Sequence, residues 1–165
     1  MALITETGAG LAGAESFASV ADADAYWAIR GAPAAWTALT TGDKEAALRL
    51  GTEYLGQRFA ERWKGYRVST TQALDWPRVG VVVDRFERVY TVIPVELVRA
   101  TIELALKSRT ASLTADEAAQ VKSEAVGPIA VTYADNARQQ TRFAAVENML
   151  HPLLTGSGSI SIVRA

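Results

Sequence analysis

The stretch from Ile93 to Arg109, IPVELVRATIELALKSR, restricts how this chain can fold more than any other part of it. Placed on a helix at about 100° per residue, its charged residues Glu96, Arg99, Glu103 and Lys107 fall in one narrow stripe, and nearly every other direction is apolar. Such a helix must be covered on several sides, by its own chain or by a neighbouring subunit. Pro94 stands near its start, where a missing N–H costs nothing, and Lys107 and Arg109 suit the negative end of the dipole. Arg99 with Glu103, and Glu103 with Lys107, form i,i+4 pairs worth roughly a few tenths of a kcal/mol each. The expected fold is mainly α, a compact helical bundle around the central apolar helix 93–109, with small β-hairpin or extended elements at about 80–92 and 121–134 and flexible termini.

The neighbouring helices carry their own signals. Ser19 caps a helix running to about Arg30, with Asp22 closing a capping box and Gly31 placed to end it. Trp27 on this helix is assigned to the core. After Pro33, Trp36 and Leu39 predict a short helical turn, and Thr40 or Thr41 caps a helix from about Asp43 to Phe59 or Arg62. Its Glu45, Arg49, Glu53 and Gln57 form a polar stripe, while Ala47, Leu48, Leu50, Tyr54, Leu55 and Phe59 cover much of the other side. That face is expected to pack against the central helix. A last helix runs from about Thr141 to His151, with Phe143, Val146, Met149 and Leu150 on one face, and Pro152 ends or kinks it.

Residues 62–92 are the least helical. Val81 to Val83 and Val89 to Val92 flank Asp84 to Arg88, which predicts a hairpin with a five-residue loop holding Arg85, Phe86 and Arg88 at its tip. Phe86 between two arginines either meets a partner, since aromatics and Arg are enriched at interface anchors, or folds back onto its own domain. Farther on, Ile129, Val131 and Tyr133 alternate with Ala130, Thr132 and Ala134, the period of a strand. Gly127-Pro128 separates them from an earlier extended piece at Val121 to Val126. An isolated two-stranded hairpin is marginal in water, so these segments need a partner.

A chain of 165 residues suits one domain, taken here as 1–154 with an N-terminal arm over 1–18, followed by a flexible tail over 155–165. A net charge of −1 and a pI near 5.9 argue against gripping nucleic acid chiefly through phosphates. The absence of cysteine excludes disulfides and thiolate metal sites, and a single histidine, His151, excludes most imidazole ones. No apolar run approaches 18 residues, and MALITETGAG does not read as a secretory signal. The expectation is a soluble protein, intracellular or assembled into a particle, with no contact to membranes.

Chemistry finds little to hold. Gly8, Gly10 and Gly13 have the spacing G-x-G-x-x-G, but that motif works only between a strand and a helix of a βαβ unit, and two successive helices follow here. A flexible glycine-rich arm is the expected form. Asp22 and Asp24 point apart on a helix and read as carboxylates favouring its N-terminus. With no nucleophile motif, paired carboxylates or ligand cluster, the chain is expected to have no catalytic residue, no cofactor and no metal.

The order and spacing of MALITETGAGLAGAESFASVADADAYWA, QALDWPR at 72–78, IPVELVRATIELAL at 93–106 and VKSEAVGPIAVTYAD at 121–135 resemble a phage family. Its members are often catalogued as DnaT-like single-stranded-DNA-binding proteins, and they also resemble head-tail adaptors, the head-completion or connector proteins of long-tailed phages. The adaptor resemblance implies a homo-oligomeric ring, a dodecamer, in the virion neck below the portal protein. Assembled in the host cytoplasm, it would extend the channel through which DNA passes without sequence-specific binding and would join a neck or tail-completion protein. A near-neutral to acidic subunit suits such a channel, because basic walls would hold phosphates. The implied subunit or tail interface comprises Arg85, Phe86, Arg88, Ile129, Val131 and Tyr133. The C-terminal TGSGSISIVRA joins a glycine and serine spacer to an alternating apolar tip. It is either a tail that adds to another protein's surface or sheet edge or a disordered terminus. By position, Ser159, Ile160, Ile162, Val163 and Arg164 would meet the portal.

The other catalogued role, single-stranded-DNA binding in replication, needs a basic groove with aromatics on which bases stack. Trp63, Lys64, Tyr66 and Arg67, with Trp76 and Arg78 nearby, form one local cluster of that composition. The same pattern also arises where core edges carry long cationic stems along them.

Overall fold

The computed structural model describes residues 2–113 and 143–156 in full, and residues 123–126 and 129–132 in their backbone. The architecture is mainly α, as the periodicity requires. Helix α1 (Val20–Ala28) starts at Ser19, whose hydroxyl accepts from the Asp22 N–H while the Asp22 carboxylate accepts from the Ser19 N–H. A short helix α2 (Ala34–Thr37) buries Trp36. Thr40 caps the long helix α3 (Thr41–Phe59) by accepting from the Asp43 N–H at 3.2 Å. Pro94 precedes the central helix α4 (Val95–Lys107). The last helix, α5 (Ala144–Leu150), tightens into a 3-10 turn over His151–Leu153, where Pro152 forbids an ordinary continuation.

Between α3 and α4 lie two small antiparallel pairs. Strand β1 (Tyr66–Arg67) pairs with β2 (Arg78–Val79), and β3 (Val82–Val83) with β4 (Phe86–Glu87). After α4, β5 (Ser123–Val126) pairs antiparallel with β6 (Ile129–Thr132), so the two extended segments read from the sequence partner each other.

Helix α4 is covered by its own chain. It lies on α3, on α5 and on the end of α1, burying Leu97, Ala100, Thr101, Ile102, Leu104 and Ala105. One apolar cluster joins Trp27, Trp36, Leu48 and Ile102; the other joins Phe59, Trp63, Trp76, Leu97, Leu104 and Leu150. The two helix backbones approach closely at Gly51, where a Cβ would stand 2.8 Å from the Thr101 carbonyl oxygen. Only glycine lets α3 and α4 come this near. The charged stripe is used between elements and not within the helix as expected. Glu96 accepts from the Arg88 guanidinium at 2.8 Å and Glu103 from the Tyr26 hydroxyl at 2.8 Å, while the Lys107 ammonium lies 5.6 Å from the Phe143 ring centroid.

The N-terminal segment is not the flexible arm expected of it. Glu6 is 2% exposed, and Ser16, Phe17 and Ala18 are buried. The Glu6 carboxylate accepts from the N–H groups of Gly8 at 2.9 Å, Gly10 at 3.0 Å and Leu11 at 2.8 Å. Gly8 and Gly10 have positive φ, which turns their N–H groups toward one point. The glycine spacing thus builds an anion seat, and the chain fills it with its own carboxylate. Gly8 also packs directly on the Thr91 backbone, where a Cβ would overlap the Thr91 carbonyl. The seat therefore tethers the segment that leads into α4.

Candidate assembly surface

The hairpin differs from its expected form. Its turn is the pair Asp84-Arg85, both at positive φ (52° and 70°), so β3 and β4 close with no glycine. This is the geometry that matches strand twist in tight hairpins. Phe86 consequently stands on a strand, not at a loop tip, and Val89 to Val92 form no strand. Val81 and Val83 turn inward and are buried. Val82 is exposed on the other side, Phe86 is 76% exposed, and the following Val89 and Val92 are 67% and 62% exposed. Tyr90 and Val95 extend the same run of large apolar side chains left in water.

The path from the hairpin back to α4 encloses a shallow groove of about 580 Å³, lined by Val83, Phe86, Val89, Val92 and Pro94 and rimmed by Asp84, Glu87 and Arg88. Arg88 holds the groove in place. Its N–H donates to the Val81 carbonyl at 2.8 Å and its guanidinium to Glu96, which ties the hairpin to the first turn of α4. Arg88 thus ties the hairpin to α4 from the rim of the groove, and Arg85 and Phe86 are exposed. Ile129 and Val131 lie on β6, described in backbone only. Tyr133 and the tail residues Ser159, Ile160, Ile162, Val163 and Arg164 lie outside the described residues. Sequence patterning saw the apolar run 89–92 but assigned it to a strand, whose alternation would have buried half of it.

Most of the aromatic and basic cluster is engaged within the fold, with Tyr66 and Arg67 exposed. Trp63 and Trp76 are buried edge to face at 5.9 Å, and Trp76 is only 1% exposed. The Trp63 indole N–H donates to Asp75 at 3.3 Å. Arg67 donates to the carbonyls of Gln72 at 2.7 Å and Leu74 at 2.8 Å, and Arg78 to those of Lys64 at 2.8 Å and Gly65 at 2.6 Å. Burial, the largest influence, pulls the Arg78 guanidinium below its ordinary pKa; Asp75 opposes that shift and Arg67 adds to it. The Lys64 ammonium donates to the Pro152 carbonyl at 2.9 Å. These cations donate to backbone carbonyls of the loops around them. Of the cluster's aromatics, only Tyr66 stands open to water. Gln72, which sequence reading passed over, is the hidden brace of this loop: its amide donates to the carbonyls of Leu74 and Pro77, and its oxygen accepts from Ser69.

Among the described residues no three or more His, Asp or Glu side chains gather to hold a metal ion, and no helix is long and apolar enough to cross a membrane. Over residues 1–165 the sequence matches the family described as DnaT-like ssDNA binding protein. The chain belongs to that family. No curated protein and no solved structure matches it. Within this DnaT-like family member, the fold buries Trp63 and Trp76 and leaves Tyr66 exposed, and it leaves Phe86, Val89 and Val92 exposed around one groove.

Proposed function

We propose that this chain is a structural subunit that assembles through the apolar face of its hairpin, serving as a head-tail adaptor in the neck of a long-tailed phage. The observation that carries the reading is the bare surface of Phe86, Val89 and Val92 around one groove. A contiguous apolar surface around a formed groove is the mark of a protein contact. In this role the subunit has no catalytic residue, cofactor or metal. It would close a ring, a dodecamer in the implied family pattern, by heterologous contacts between copies, with a portal protein on one side and a neck or tail-completion protein on the other. The net charge of −1 suits a wall along which DNA slides without adhering.

The family's description favours a second reading, single-stranded-DNA binding. One pair of measurements separates the two. Mass spectrometry of virions should find this chain at parity with portal, and oligonucleotide anisotropy at physiological salt should show no binding. Absence from virions, together with salt-dependent oligonucleotide binding, would reject the adaptor role and establish the second reading. Phe86→Asp should abolish assembly while leaving the fold intact, because the side chain it replaces is solvent-exposed.

A further inference from the structure

We propose that the hairpin groove of one subunit receives the turn Ile29–Ala32 of a second copy of the chain, a head-to-tail contact between two different surfaces. The inference rests on reading the hairpin face as an assembly surface, and it names what that face meets. Ile29 is 81% exposed, the barest large apolar side chain among the described residues. It stands at the end of α1 on a turn that projects from the body, since a Cβ at Gly31 would meet no atom within 4 Å. The turn is also firm: the N–H groups of Arg30 and Ala32 both donate to the Trp27 carbonyl at 2.9 Å, and Trp27 itself is buried. A preformed apolar tip loses little freedom on docking.

Charge assigns this tip to this groove. Of the rim residues Asp84, Glu87 and Arg88, the Arg88 guanidinium is already taken by Glu96 at 2.8 Å, which leaves two exposed carboxylates. Arg85, on the hairpin turn, does not line the groove. Beside Ile29, the exposed Arg30 lies with its guanidinium carbon 3.7 Å from the Tyr26 ring centroid and makes no ion pair among the described residues. Two acidic rims brought face to face would repel, so the hairpin does not suit its own copy. The other bare apolar side chains fit less well. Leu50 shares a hollow with Glu53, which has the same sign as the rim. Tyr66 belongs to β1, at the same end of the molecule as the groove, because the preceding Lys64 ammonium lies 3.4 Å from the Val82 carbonyl.

The tip and the groove lie apart along α4. The groove is walled by Pro94 and tied to Glu96 through Arg88, whereas α1 is tied to Glu103 through the Tyr26 hydroxyl and packs Trp27 into the cluster that holds Ile102. From Glu96 to Glu103 the helix rises about 10 Å. Two surfaces that share no residue and are displaced in this way join head to tail, the kind of contact that closes into a ring or runs on as a filament.

Sedimentation velocity on the full chain tests this with two variants at exposed positions, Ile29→Asp and Phe86→Asp. The parent should associate as its concentration rises, and each variant alone should associate roughly 30-fold more weakly or worse, the loss expected of an interface anchor. A one-to-one mixture of the variants should form a heterodimer and stop there. The Phe86 variant keeps an intact tip and the Ile29 variant an intact groove, so one good contact forms and the pair is left with a spoiled tip and a spoiled groove. Recovery in the mixture also shows that both variants are folded. Association of Ile29→Asp at the parent's level, with Phe86→Asp alone defective, overturns the inference and keeps the assembly reading. A mixture that stays monomeric overturns it as well. A parent that is monomeric at every concentration overturns it too and leaves the virion measurement to decide the adaptor role. Unchanged association in both variants refutes the hairpin as an assembly surface altogether.

Discussion

Gly51→Ala should destabilise the protein, by up to about 2 kcal/mol, against the usual expectation for a glycine inside a helix. In an open helix the substitution gains about 1 kcal/mol from helix propensity. At Gly51 the added Cβ would lie 2.8 Å from the Thr101 carbonyl oxygen, 3.1 Å from the Ala105 nitrogen and 3.3 Å from the Leu104 Cβ. Two of these three are backbone atoms of α4, which cannot rotate aside. Ordinary contacts to carbon stand at roughly 3.5 to 4.0 Å, so the helices must part by several tenths of an ångström along the seam that buries Leu97, Ala100 and Leu104. Overpacking of this kind costs about 1 to 3 kcal/mol, which outweighs the propensity gain. Gly56→Ala, five residues along the same helix, is the control: its Cβ would meet only the Asp75 carboxylate, at 3.8 Å. It should be neutral or stabilising by up to about 1 kcal/mol. Urea denaturation of both variants beside the parent gives the comparison, with m-values checked for constancy. Equal midpoints for the two variants would refute the argument that close approach at Gly51 sets the spacing of α3 and α4.

Other perturbations probe the anion seat, the turn and the surface charges. Glu6→Gln removes the charge that three N–H groups share and sets an amide donor against one of them, so urea denaturation should show a loss of about 2 kcal/mol. Arg85→Val places a β-branched residue at a φ of 70° and should lose about 1 to 2 kcal/mol, while Arg85→Gly loses none; thermal melts of the pair decide whether the turn has the stated form. Asp24 is held below the usual carboxylate range chiefly by its hydrogen bond from Lys44, with the Trp36 indole adding to it, and Glu15 chiefly by its hydrogen bond from Arg49. Because both shifts are downward, the stability they contribute is complete above about pH 5 and is lost as pH falls through about 4 and below. Melting temperature followed from pH 7 to 3 should be flat and then fall, and the fall should be shallower in Asp24→Asn.

Much of the helical frame was legible because it depends on local chemistry. The Ser19 and Asp22 capping box, the Thr40 cap, Pro94 at the head of α4 and the kink at Pro152 each act within one or two turns, and all appear where the sequence put them. The apolar circumference of the central helix also required cover, and cover is present. The candidate surface was half legible: Phe86 was singled out by its arginine neighbours, but the width of the bare face was not. A run such as Val89 to Val92 looks the same in sequence whether a strand buries it or a groove wall exposes it.

By itself the sequence determined the elements whose causes lie within a few residues: the caps, the breaks, the periodic faces and the rule that α4 could not lie bare. Only the tertiary structure decided what those faces meet. It seated Glu6 among the glycine N–H groups, sent Arg67 and Arg78 to backbone carbonyls, buried Trp63 and Trp76, and left Phe86 and Val92 in water. Hydrogen bonds and burial between residues far apart in the chain depend on how whole helices dock, and docking is set by close approaches such as Gly51 on Thr101, which no local pattern records.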